Sequence, residues 1–242
     1  MKPDPSLLLE KAGIGLPLIG FYDAPDTEPF APLIEPRKGR HGCVFEFYDN
    51  WLEGATLHIT RENFGCPGCG NWLCGISSRS REDFVTFLAE AEGLRASRPL
   101  MHQWLDKEKP YSQAHSHLFI GPLKPDQYAW LKTVTFLVNP DQLSLLITGA
   151  YYHHSPEDPP AVLAPFGAGC MELAPLFEDF NACQALIGAT DIAMRQHLPS
   201  NILAFTATRP MFERLCSLDE RSFLFKPFWK RLKKARGISE RS

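Results

Sequence analysis

The sequence predicts an α/β or α+β fold, a mixed sheet with helices packed on it, in a single compact globular body over residues 1–242. Three observations predict it. Stretches that alternate like strands and stretches with helical spacing interleave along the whole chain. Hydrophobic residues make up 44% and charged residues 22% of the 242, the balance of a globular chain long enough to bury a sizeable core. The 21 prolines and 17 glycines cut the chain into short elements.

The elements follow in order. Residues 4–12 read as a short helix with Leu7 and Leu8 turned inward, and "LPLIGFYD" (16–23) as a strand. Residues 24–39 carry four prolines, which remove backbone donors and fix φ, so this is a proline-rich loop or arm. Val44, Phe45, Tyr48 and Leu52 fall at helical spacing, and Gly54 ends that helix. "ATLHITREN" (55–63) alternates as a strand. In 80–93, Ser80 caps a helix whose first turn holds Glu82 and Asp83 and whose face is Phe84, Phe87, Leu88 and Ala91.

Strands are predicted over 116–123 and 133–140. Asn139 then caps a helix over 141–153 with Pro140 at its first position. Residues 161–177 read as strand, glycine turn and short helix, and 181–198 as a helix capped by Asn181. A strand over 201–210 runs into a helix at 211–218. A basic helix and tail, 225–242, carries Lys226, Lys230, Arg231, Lys233, Lys234 and Arg236. Both halves share one local theme: a strand, a glycine- and cysteine-bearing turn, then a helix.

The net charge of −3 gives no overall drive toward nucleic acid or membrane. No apolar run reaches the ~18 residues of a membrane span. The first residues lack a signal-peptide pattern, because Asp4, Glu10 and Lys11 interrupt the apolar stretch. The expected compartment is the cytoplasm, where thiols stay reduced. The basic tail suits an acidic surface, and a solvated helix with Phe228 and Trp229 docked on the body explains it equally.

Seven cysteines, an odd count, argue against a closed disulfide framework. Three of them, Cys66, Cys69 and Cys74, fall within "NFGCPGCGNWLCG" at C-x2-C-x4-C spacing. A glycine-rich turn with several thiols suits an iron–sulfur cluster, since glycine lets backbone amides reach the sulfurs. The spacing differs from the common ferredoxin runs, and no second C-x2-C completes a zinc ribbon. Zinc is the alternative metal. Trp72 lies inside the run, where it would shield a cofactor from water. The pair Cys66 and Cys69 also has the C-x-x-C spacing of thiol–disulfide oxidoreductases.

The run from His41 to Gly75, "HGCVFEFYDNWLEGATLHITRENFGCPGCGNWLCG", is similar to the first half of the uncharacterised family called domain of unknown function 169. "NPDQLSLLITGAYY", "GAGCMEL" and "NACQALIGATDIAMRQHLPSNILAF" are similar to its second half. The resemblance covers roughly Leu16 to Leu215. It implies candidate thiols at Cys43, Cys66, Cys170 and Cys183, and no reaction. This chain departs from the family pattern with Cys69, where glycine is more usual, and with the added Cys74. Cys183 would stand at a helix start, where amides and dipole favour a thiolate.

Other residues have plainer readings. Cys216 is expected to pack as a small hydrophobe. His115 and His117 would share one strand face and begin a metal site, or line a solvated strand edge. His153 and His154 cap a helix end. Asp191 and Arg195, four apart, form an ion pair, or Arg195 clamps an anion. The glycine turns at 68–70 and 167–169 are too incomplete for a nucleotide fingerprint.

Three functions therefore stand open: a thiolate-ligated iron–sulfur or metal centre for redox or small-molecule chemistry, serving a small molecule or an electron-transfer partner; a metal-free ligand-binding or interaction module with structural cysteines; and a thiol redox protein using Cys66 and Cys69.

Overall fold

A computed structural model describes residues 2–36, 42–60, 62–64, 66, 80–107, 111–167, 169–173, 177 and 179–237. Eight strands form one mixed sheet: β1 (Ile19–Ala24), β2 (Leu33–Ile34), β3 (Thr56–Ile59), β4 (His117–Pro122), β5 (Leu131–Val138), β6 (Val162–Leu163), β7 (Ala185–Gly188) and β8 (Leu203–Thr208). Their order is β2-β3-β4-β1-β5-β8-β7-β6. Helices pack on the sheet, so the class is α/β, as the interleaved pattern predicts.

The sheet is two copies of one four-strand pattern. In the first, β1 pairs antiparallel with β4, β4 with β3, and β3 runs parallel to β2. In the second, β5 pairs antiparallel with β8, β8 with β7, and β7 runs parallel to β6. The copies meet where β1 and β5 pair antiparallel. A parallel pair needs a crossover. The two crossovers, residues 35–55 and 164–184, are equal in length, and each contains a short 3-10 turn, Val44–Phe47 in one and Gly169–Leu173 in the other. This repeat matches β2 with β6 and β3 with β7, so it is not the strand–turn–helix theme read in sequence, which aligns the segment after β3 with the segment after β6.

Strand alternation sorts the core onto two faces. Tyr22, Phe119, Val134, Phe136 and Phe205 lie on one, beneath helices α1 (Ser6–Ala12), α5 (Pro140–Tyr151), α6 (Arg209–Cys216) and α7 (Pro227–Ala235). Ile19, Phe21, Leu57, Leu118, Ile120, Leu137 and Ala204 lie on the other, beneath the crossovers and helix α2 (Tyr48–Leu52). A smaller cluster joins α3 (Arg81–Thr86), continued as a wider π turn to Ala91, with α4 (Arg98–Lys107) through Phe84, Val85, Leu88, Met101 and Leu105.

The predicted caps at Ser80 and Asn139 form, and the one at Asn181 does not, since no helix follows it. The Ser80 hydroxyl accepts the Asp83 amide at 3.1 Å. Asn139 and Gln142 form a reciprocal capping box with Pro140 in the first turn. The C-terminal helix docks through Trp229, whose indole N–H donates to the Lys11 carbonyl at 2.6 Å. Phe228 does not dock and is 79% exposed. Leu7 likewise faces solvent while Leu8 is buried, because this short helix presents only the side that holds Leu8 and Ala12 to the body.

The predicted helix over 181–198 is a correction. Its middle is strand β7, inserted between β8 and β6, and its end is a 3-10 turn at Arg195–His197. Pairing on both sides outweighs the helical spacing of its apolar residues. Gly188 and Ala189 then turn the chain away, Ala189 at φ 60°.

Candidate thiol site

The two crossovers meet over the second face of the sheet, and each brings a thiol there. Cys43 caps the turn Val44–Phe47 in extended conformation, and its carbonyl accepts the Glu46 amide at 3.0 Å. Cys170 lies in the turn Gly169–Leu173 and is 4% exposed. That turn packs against β5, β7 and the turn that follows Cys43. The Thr133 hydroxyl donates to the Leu173 carbonyl and anchors it to the sheet.

Cys66 arrives from the end of β3. Asn63 shapes the approach: its side chain accepts the Thr60 amide at 2.8 Å and donates to the His58 carbonyl at 3.1 Å. Cys66 is buried in the same cluster as Cys170, and the half-buried Cys43 packs against that cluster. Burial pushes the Cys43 thiol up to about 12. The charges of Cys66, Glu46 and Asp191 add to the rise, and a hydrogen bond from the Phe45 backbone opposes it.

A buried carboxyl completes the surroundings. Glu172, 1% exposed, accepts the Ala189 amide at 2.8 Å and the Thr190 hydroxyl at 3.1 Å. Burial pushes this carboxyl up to about 8; those hydrogen bonds oppose the rise, and the charge of Asp191 adds to it. Counted from the first residue of each short parallel strand, Glu172 occupies in its crossover the place of Cys43 in the other. Ala189, which donates to Glu172, holds a positive φ of 60°, unusual for a residue with a Cβ. The sequence reading missed Glu172. Its signal was an acidic residue two positions after Cys170 in an otherwise apolar run.

Cys183 does not join this group. It lies in the turn before β7, not at a helix start, and packs against the cluster of the first face. Its thiol is raised by burial, lowered by the Arg214 charge and raised by Glu213. Cys216 packs on that same cluster, as expected, its thiol pushed up to about 12 chiefly by burial. Cys69, Cys74 and Trp72, with the glycine turn at 68–70, lie outside the described residues.

Arg195 is neither an anion clamp nor the partner of Asp191. Its guanidinium donates to four carbonyls, those of Ala189, Pro199, Ser200 and Ile202, and so braces the loop behind Glu172. His115 and His117 are committed separately, His115 Nδ1 to Asp23 at 3.1 Å and His117 Nδ1 to His58 at 2.9 Å. Strand β4, which His117 opens, is also interior to the sheet, so His117 lines no sheet edge, and His115 precedes the strand.

Among the described residues, no group of three or more His, Cys, Asp or Glu forms a set that could hold a metal ion. No helix among them is long and apolar enough to cross a membrane.

The family model for domain of unknown function 169, described as an uncharacterised ArCR, matches residues 18–217. The chain belongs to this family. No curated protein and no solved structure matches it. The matched region of this domain-of-unknown-function-169 chain takes in both four-strand copies and Cys43, Cys66, Cys170 and Glu172, and stops short of the basic helix α7.

Proposed function

We propose that Cys43, Cys66 and Cys170 hold a thiolate-ligated iron–sulfur cluster used for electron transfer or small-molecule redox chemistry. One observation carries this reading: Cys66 and Cys170 lie within one hydrophobic cluster and Cys43 packs against it, so three thiols far apart in sequence share one face of the sheet. Iron–sulfur clusters take thiolates from distant segments around one point. Cys69 and Cys74, next along the chain after Cys66, would join them, since among the described residues no three such side chains form a set that could hold a metal.

The bound group would supply one-electron or Lewis-acid chemistry. The chain's part is to keep water out with Phe45, Phe64 and Leu173 and to release thiol protons on loading. With the Cys43 thiol at about 12, loading is coupled to proton loss and favoured by higher pH. The basic face of α7, with Lys230, Arg231 and Lys234 exposed, suits an acidic electron-transfer partner. A reducing cytoplasm suits the thiols.

Protein purified without oxygen tests this. Brown protein containing iron and acid-labile sulfide, both lost in Cys66→Ser, is the expected result. Colourless protein that takes up neither on anaerobic reconstitution overturns it. The incomplete ligand set among described residues favours a second reading, a metal-free ligand-binding module in which the cysteines pack. That reading expects Cys66→Ser to change stability alone.

A further inference from the structure

Three polar side chains run in a line across three neighbouring strands, on the face opposite the thiols. Glu35 follows β2, His58 lies in β3 and His117 opens β4. His58 Nδ1 stands 3.0 Å from Glu35 Oε1, and His58 Nε2 stands 2.9 Å from His117 Nδ1. His58 is 6% exposed and stacks on Phe119 with ring centroids 5.1 Å apart. His117 is half-buried and Glu35 is exposed.

These contacts select the tautomers. A bare Nδ1 on His58 would set its lone pair against the Glu35 carboxylate, so Nδ1 carries a proton and donates it. In neutral His58, Nε2 is then bare and must accept. His117 therefore donates from Nδ1, which leaves His117 Nε2 bare and directed away from the chain of bonds.

The second half of the sheet shows that the fold does not need this trio. In matching places it has Ala164 after β6, Ile187 in β7 and Leu203 opening β8. The same backbone closes there with apolar residues. Burying an imidazole in place of Ile187's counterpart position is unfavourable unless its hydrogen bonds are met, and here every one of them leads toward His117 or Glu35.

We infer that Glu35, His58 and His117 form a proton relay at a second, acid–base site, where His117 Nε2 takes a proton from a weakly acidic O–H or S–H of a bound small molecule. The proton leaves the donor for His117 Nε2, and the Nδ1 proton of His117 passes to His58 Nε2. His58 becomes an imidazolium held by the Glu35 carboxylate, and the small molecule is left as its anion. Reversal returns the proton. Only His117 touches the substrate; His58 and Glu35 are positioning residues. The nearby His115 does not compete, being held by Asp23, which also accepts the Tyr111 hydroxyl and the Ala114 and His115 amides. This site is independent of the thiols.

Nitrogen-15 spectra of the whole chain near neutral pH read the tautomers. Expected are His58 protonated at Nδ1 and His117 protonated at Nδ1 alone, or, in the proton-loaded state, a doubly protonated His58 beside a His117 protonated at Nε2. Acylation by diethyl pyrocarbonate, which attacks bare imidazole nitrogen, reads the same atom by peptide mass, with exposed His153 as the reference. Glu35→Gln, at an exposed side chain, slows acylation of His117 about threefold or more relative to His153. His58→Ile, which copies the other half of the sheet, does the same with the fold kept. A neutral His58 beside a His117 protonated only at Nε2 overturns the proposal, as does an unchanged His117 rate in Glu35→Gln.

Discussion

The carboxyl of Glu172 fills the space that a side chain at residue 188 would take: a Cβ on Gly188 would lie 2.8 Å from Glu172 Oε2 and 3.0 Å from its Cβ. On its other side the same Cβ would sit 3.4 Å from Ala204 Cβ. Glycine here is therefore a packing requirement of the buried acid. Gly188→Ala should destabilise the fold by about 2 kcal/mol, read from denaturant midpoints. The double variant with Glu172→Ala should recover most of that loss. An additive pair would show that the two residues do not share the space.

Glu172 also ties stability to pH. Its folded carboxyl holds a proton up to about 8, against 4.5 for an ordinary glutamate, chiefly through burial. The folded state thus binds the proton more tightly than the unfolded chain. Its contribution is fully present below 4.5 and is lost as pH rises toward 8. In metal-free protein, stability should fall across that window by up to about 1.4 kcal/mol per pH unit from this group. Glu172→Gln should remove that part of the slope. The check is a set of unfolding curves between pH 4 and 9, roughly spanning the two values.

The Cys43 thiol should be nearly inert in metal-free protein. A shift from 9.0 to about 12, with burial as its main cause, leaves little thiolate at neutral pH. Iodoacetamide should label Cys43 on the order of a hundredfold more slowly in the folded chain than in denaturant. Cys216, pushed up to about 12 by burial, should be protected in the same way. Peptide mass spectrometry after timed quenching separates the two sites.

Arg195 should matter for stability and local order. Replacing it with Ala removes the donors to the carbonyls of Ala189, Pro199, Ser200 and Ile202. The expected cost is about 2–3 kcal/mol. Amide exchange should quicken over 189–202 and stay unchanged in the capping box at 139–142. Arg195→Lys should rescue little, since one ammonium cannot span the four carbonyls that the planar guanidinium reaches.

Much of the sheet could be read from local pattern, and the site only in part. Strands β1, β3, β4, β5 and β8 were signalled by alternation, and α5 by Asn139 and Pro140. β7 was hidden because "ALIG" is too short to display a period and sits among residues with helical spacing. Its identity comes from partners on both sides, which local sequence does not contain. Cys43, Cys66 and Cys170 were marked by the family resemblance, and the structure gathers them on one face. Cys183 was marked in the same way and falls on the other, because the strand that replaced the expected helix moved it. The Glu35–His58–His117 line escaped notice for a related reason. His117 drew attention, but its partners lie upstream on two other strands, and only the sheet order makes them neighbours.

The outermost strands, β2 and β6, are two residues long, and prolines stand close by at Pro32 and Pro36 for one and at Pro159, Pro160 and Pro165 for the other. Each rim of the described sheet therefore offers a foreign chain almost no run of open amides and carbonyls to lengthen. The long β5, which would make a good template for fibre growth, is enclosed between β1 and β8. The same repeat that produces the crossovers also seals both borders, so concentrated protein should resist strand-by-strand stacking until the fold itself opens.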